Sequence, residues 1–163
     1  MTDPGNDISK QFLSDSRAFL TEQYLPSIEG CVARLTDEQI WSRSNEASNS
    51  IGNLILHLAG STRYWASDVI GQEPTGRVRQ QEFDQRGPLP SPELLTKLRA
   101  SVTEAERRLA GLTADELLEI RKTKEQSLTV LWCVYHIVEH FAMHTGQIAS
   151  MTKALIGEIE PSR

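Results

Sequence analysis

Apolar residues along the chain recur at intervals of three, four and seven, and four long stretches keep that spacing. The first runs from about Asp7 to Arg34, with Ile8, Phe12, Phe19, Leu20, Tyr24, Ile28, Cys31 and Val32 on one side. Pro26 falls inside it, and its missing N–H and bulky ring predict a kink there. The second opens at Asn49 or Ser50, carries Ile51, Leu54, Ile55, Leu58 and Trp65, and stops near Gly71. The third begins at Ser91-Pro92-Glu93, read as cap, first-turn proline and acid. It carries Leu94, Leu95, Leu98, Val102, Ala105 and Leu109 and ends at Gly111. The fourth opens at Ser127 or Thr129 and runs to about Ile156, closing on Gly157. Thr36-Asp37-Glu38 and Thr113-Ala114-Asp115-Glu116 are helix starts inside the connections. Strand-type alternation is not visible, and no repeat stands out. The pattern predicts an all-α fold: an antiparallel four-helix bundle with short extra helical turns in its connections, residues 1–163 forming one domain. The longest irregular stretch is Gln72 to Pro90, rich in Pro and Gly, and a loop of that length points to a functional or mobile segment.

Composition narrows the picture. The chain has 163 residues, enough for one real core. There is no apolar run of membrane-spanning length. The polar, acidic Met1–Asp7 lacks the basic and apolar regions of a secretory signal, so a cytoplasmic location is expected. In that reducing compartment Cys31 and Cys133 read as small buried hydrophobes rather than a disulfide. A formal net charge of −5 and the lack of a basic cluster argue against a nucleic-acid partner.

The candidate chemistry lies in the histidines. There are four, and His136, His140 and His144 share the fourth helix at spacings of four, on one face. His136 and His144 stand roughly 12 Å apart along the axis, too far for one ion with metal–nitrogen bonds of about 2.0–2.1 Å. Spacing therefore allows either His136 with His140 or His140 with His144. The acid of an HExxH motif is absent, since Phe141 follows His140. His57, on the second helix, lies in a polar stripe with Asn53 and Ser61 beside the apolar one, as in the wall of a polar pocket within a bundle. Histidines in helices are more often packed or solvated than ligating. Here, however, Val134, Ile137, Phe141 and Ile148 interleave with them and bury part of that face. Trp132 and Tyr135 read as core, and Glu139 as a solvent-facing acid or a supporting base. Three imidazole ligands would leave positions open for water or substrate, and binding would weaken as pH falls below the histidine range.

Two segments, Ser50-Ile51-Gly52-Asn53-Leu54-Ile55-Leu56-His57-Leu58-Ala59-Gly60 and Val138-Glu139-His140-Phe141-Ala142-Met143-His144-Thr145-Gly146-Gln147-Ile148, resemble the DinB/YfiT-like superfamily of bacterial metal-binding bundles. The second carries two histidines a turn apart followed by Gly-Gln. The resemblance implies a divalent ion, nickel or zinc, held by His57, His140 and His144, which selects between the pairings that spacing leaves open. His136 then lies outside the triad. Gln147 is suited to a supporting hydrogen bond and Gly146 to a close helix approach. The resemblance also implies a homodimer and, as the leading activity, a detoxifying S-transferase using a low-molecular-weight thiol on a small-molecule substrate. Metal-assisted hydrolysis and a non-catalytic metal-stapled bundle are the alternatives. Arg63, Arg77, Arg79 or Arg86 could hold a carboxylate of the thiol.

Overall fold

The computed structural model describes residues 4–87 and 89–157. Four helical rods make a bundle. The first combines α1 (Pro4–Ala18), a π-helical turn at Phe19–Tyr24 and α2 (Leu25–Val32). The π-turn ends two residues before Pro26. Proline lacks the N–H of an α-helical bond and crowds the carbonyl four residues back; the wider turn just before it, closed by Leu25 N–H to Leu20 O, relieves the crowding. After α3 (Asp37–Trp41), the second rod is α4 (Ile51–Arg63) followed by a second π-turn at Tyr64–Ile70. Ser50 is its cap: its hydroxyl accepts from Asn53 N–H, and Asn53 Oδ1 accepts from Ser50 N–H.

The stretch 72–90, read as irregular, contains α5 (Arg79–Asp84). It is tied down at several points. Thr75 bonds Asp68, Asn53 Nδ2 donates to Glu82 O and Gln85 O, and Trp41 Nε1 donates to Leu89 O. The third rod is α6 (Ser91–Ala110). Its cap is Pro90 rather than Ser91, whose N–H donates to Asp37 Oδ1 at 2.9 Å. After α7 (Ala114–Leu118) the chain, in which no strand alternation is visible, forms a hairpin. In it β1 (Ile120–Lys122) pairs antiparallel with β2 (Ser127–Thr129), Ile120 facing Thr129 and Lys122 facing Ser127. Three-residue strands are too short for alternation to show in the sequence. Thr129 caps α8 (Val130–Ile156) by accepting from Trp132 N–H, and Gly157 ends it at φ 86°.

The core lies where α4 packs on α6 and α8, with α1 and α2 against α6 and α8. Leu20, Ile28, Ile55, Leu58, Leu98, Phe141 and Ile148 are completely buried. Cys31 and Cys133 are buried and unpaired. Burial raises the Cys133 thiol to about 11. Trp132 and Tyr135, read as core, are at 38% and 61% exposure; the aromatic stripe of α8 runs beyond the edge of the core. Among the described residues no helix is long and apolar enough to cross a membrane.

Candidate metal centre

His57 comes from the middle of α4, His140 and His144 from the middle of α8, and the packing of these helices brings their rings together. His140 Nε2 lies 3.2 Å from His57 Nε2 and 3.0 Å from His144 Nε2. One nitrogen from each of the three lies within 4.8 Å of the others, close enough to hold one ion.

The far nitrogens decide what these near ones carry. His57 Nδ1 lies 2.9 Å from Glu82 Oε2, and His144 Nδ1 lies 2.6 Å from Gln147 Oε1. Burial alone would raise the Glu82 carboxyl. Hydrogen bonds from Arg77 and His57 outweigh that and hold it below its ordinary value, so Glu82 is an acceptor at neutral pH. The Glu82 contact on His57 Nδ1 is shorter than that of Arg77 Nη2, 3.3 Å from the same nitrogen; with the proton on Nδ1 toward the nearer oxygen, each ring turns a lone pair inward from Nε2. His140 Nε2 can donate to only one of the two. At least one close nitrogen pair is lone pair against lone pair, an arrangement that a cation relieves. The donor set fits a divalent ion of imidazole preference, zinc and nickel included.

Protons are disfavoured here for the same reasons. Burial, followed by the neighbouring His144, His57, His136 and Arg77, pushes the His140 imidazole down to about 3. Burial lowers His144 as well, against the opposing bond from Gln147. The unfolded chain takes up protons near pH 6.5 where the folded metal-free site does not. The stability these two histidines contribute is full above about 6.5 and is lost as pH falls below it, for His140 down to about 3. The denaturant midpoint of chelator-treated protein is expected to drop steadily between pH 7.5 and 4.5. A midpoint flat across that range contradicts the burial of neutral His140 and His144.

The other residues singled out in the sequence sort as follows. His136 is outside the triad. Its Nδ1 bonds Glu139 Oε1 at 2.7 Å, and its ring stacks on Trp132 with centroids 4.8 Å apart and meets the edge of Trp65. Gln147 makes its supporting bond. Gly146 does not serve a close approach, for a side chain there would meet nothing within 4 Å. Asn53, fully buried, anchors the 82–85 backbone instead of facing the triad. Of the four arginines, Arg77 is committed to Glu82 through Nε at 2.6 Å and Nη2 at 2.8 Å. Arg79 lies over Phe83, and Arg86 donates to Phe83 O. Arg63 is exposed on the wall of a cleft of about 1080 Å³ between α4 and α6, which Arg77 and Glu82 also line and the histidines do not.

Sequence reasoning missed Glu82. It approaches His57 across 25 residues of chain from a Pro- and Gly-rich stretch with no periodic signal. Gly60 was the available clue. A glycine in the middle of an apolar helix weakens it unless something must come close. Here a Cβ would collide with Glu82 Oε1.

Residues 16–155 match the sequence model of a family described as mycothiol S-transferase. The chain belongs to that family. It is thereby placed in the DinB/YfiT-like superfamily whose two motif segments it carries. Among solved structures, a conserved protein from Enterococcus faecalis superposes with a TM-score of 0.76 at 15% identity, covering 89% of this chain and 97% of its own. A DinB-like protein from Bacillus cereus ATCC 10987 superposes with a TM-score of 0.67 at 16% identity, covering 89% and 95%. At such identities these neighbours show that the family member described here has the DinB-like bundle fold. No curated protein sequence matches the chain.

Proposed function

We propose that this chain is a metal-dependent S-transferase that joins a low-molecular-weight thiol, mycothiol or a close analogue, to an electrophilic carbon in detoxification. The observation that carries the reading is the convergence of three imidazole Nε2 atoms in a member of a mycothiol S-transferase family. His57, His140 and His144 would hold the ion. A zinc or nickel ion there would supply positive charge that keeps a thiol as its thiolate at neutral pH. Three neutral imidazoles leave that charge uncompensated, which favours an anionic sulfur over a neutral ligand.

The reaction forms one C–S bond. The thiol loses its proton, sulfur attacks carbon, and the group displaced from carbon leaves with the bonding pair. The chain's own residues set this up. Glu82 and Gln147 fix the orientation of His57 and His144, so the site is built before any ligand arrives. His136, with Nδ1 held by Glu139, leaves Nε2 to accept the thiol proton. The rings of Trp65, Trp132 and Phe83 stand beside the histidines and give an apolar substrate a surface to rest on.

The test compares zinc-loaded, nickel-loaded and chelator-treated protein for conjugation of monochlorobimane with mycothiol and with simpler thiols. Conjugation that follows metal loading and selects among thiols supports the reading. Equal rates with and without metal overturn it, as does ester cleavage that proceeds without any thiol, which belongs to a hydrolase.

A further inference from the structure

The segment between α4 and α6 does more than connect them. Arg77 grips the Glu82 carboxylate with two hydrogen bonds, and its guanidinium lies 5.7 Å from the Tyr64 ring centroid. The Arg77, Glu82 and His57 side chains are 14%, 11% and 8% exposed, so the pair is largely desolvated against His57. The backbone on either side of Glu82 is fastened to α4: Asn53 takes Glu82 O and Gln85 O, and Arg43 Nη2, itself bonded to Asn53 Oδ1, reaches Phe83 O. Phe83 covers the His57 ring with centroids 4.9 Å apart. Gly60, one turn along α4, is the gap into which the carboxylate fits. Of these, Glu82 and Phe83 touch His57 directly, and the other contacts hold Glu82 and Phe83 in place beside the single imidazole that α4 contributes to the triad.

We propose that Glu82 is the positioning residue of the metal centre, that Arg77 is the clamp holding it, and that ion binding and the docking of residues 77–85 on α4 are coupled. This rests on the reading that His57, His140 and His144 hold an ion. A carboxylate on Nδ1 makes Nε2 a stronger donor and stops the ring rotating, so a docked segment favours the bound ion. Coupling is reciprocal, and the bound ion must favour the docked segment by the same factor. The segment that walls the cleft on one side would then report, through its order, whether the triad on the other side is filled.

Zinc affinity is measured by competition with a chromophoric chelator for wild type, Glu82→Gln, Gly60→Ala and, as a control, Gly30→Ala, where a side chain meets nothing within 4 Å. Backbone amide exchange over residues 77–87 is followed with and without zinc. Glu82→Gln removes the charge while keeping the size. Gly60→Ala leaves every polar group in place and expels the carboxylate by volume alone. Both are expected to weaken zinc about 10–100-fold, with Gly30→Ala unchanged. Zinc should slow exchange at 77–87 in wild type and lose that effect in both variants, a readout that ordinary loss of stability would not reproduce. Wild-type affinity in both variants, or exchange at 77–87 indifferent to zinc, overturns the proposal while the triad stands. A wild type that binds no zinc overturns both.

Discussion

Elemental analysis of the tag-free protein is expected to return about one divalent ion per chain for the wild type and none for His57→Ala, His140→Ala or His144→Ala. A site built from three imidazoles has no redundancy. If zinc sites are worth about 10–16 kcal/mol over four ligands, each ligand carries about 3 kcal/mol, and its loss weakens binding by on the order of a hundredfold or more. His140→Ala should be the most severe, because His140 Nε2 is the nitrogen that lies against both others. His136→Ala should keep its ion, since its Nδ1 is turned to Glu139 and its ring to Trp132. Loss of metal in His136→Ala, or its retention in any of the other three, would show the ligand set to be wrong.

Phe141→Ala is expected to cost about 3–5 kcal/mol in denaturant unfolding, out of a total of about 5–15 kcal/mol for a domain of this kind. Phe141 is completely buried, and its ring stacks on Tyr24 with centroids 6.2 Å apart, joining α8 to the π-turn of the first rod. Removing it leaves a cavity between α8 and the first rod, beside Tyr24. Zinc at about a hundred times its dissociation constant would return about 2.7 kcal/mol by mass action, so the variant should become strongly metal-dependent for folding. A loss under about 1 kcal/mol would place the ring outside the core.

Phe141 also shows what periodicity can and cannot read. That it is apolar where an HExxH helix has its acid was visible at once, and so was its place among Val134, Ile137 and Ile148. The four rods, the cap at Thr113 and the stops at Gly111 and Gly157 follow from local rules, because a cap acts within three residues of itself, while the structure chooses Ser50 over Asn49 and Thr129 over Ser127. The histidine pairing did not follow from spacing, since His140 pairs equally well with either neighbour; the resemblance in the two motif segments selected one, and the structure brings that set together. Contacts made across the fold left no local trace. Glu82 belongs to a helix of six residues, too short for a pattern. The π-turns each widen a helix without interrupting its apolar stripe, and Tyr135 continues a stripe that the core no longer needs.

The burial of both cysteines bears on how this chain would withstand the electrophiles that the proposed reaction consumes. An electrophile reactive enough to need conjugation will also alkylate protein thiols, and it does so through the thiolate. Cys133 is withheld twice, by having no exposed surface and by a thiol that stays protonated far above neutral pH, and Cys31 is buried on the face of α2 that belongs to the core. If the chain conjugates electrophiles as proposed, the sulfur nucleophile that meets them in the folded protein is the one the small molecule brings, and the chain's own thiols are spared.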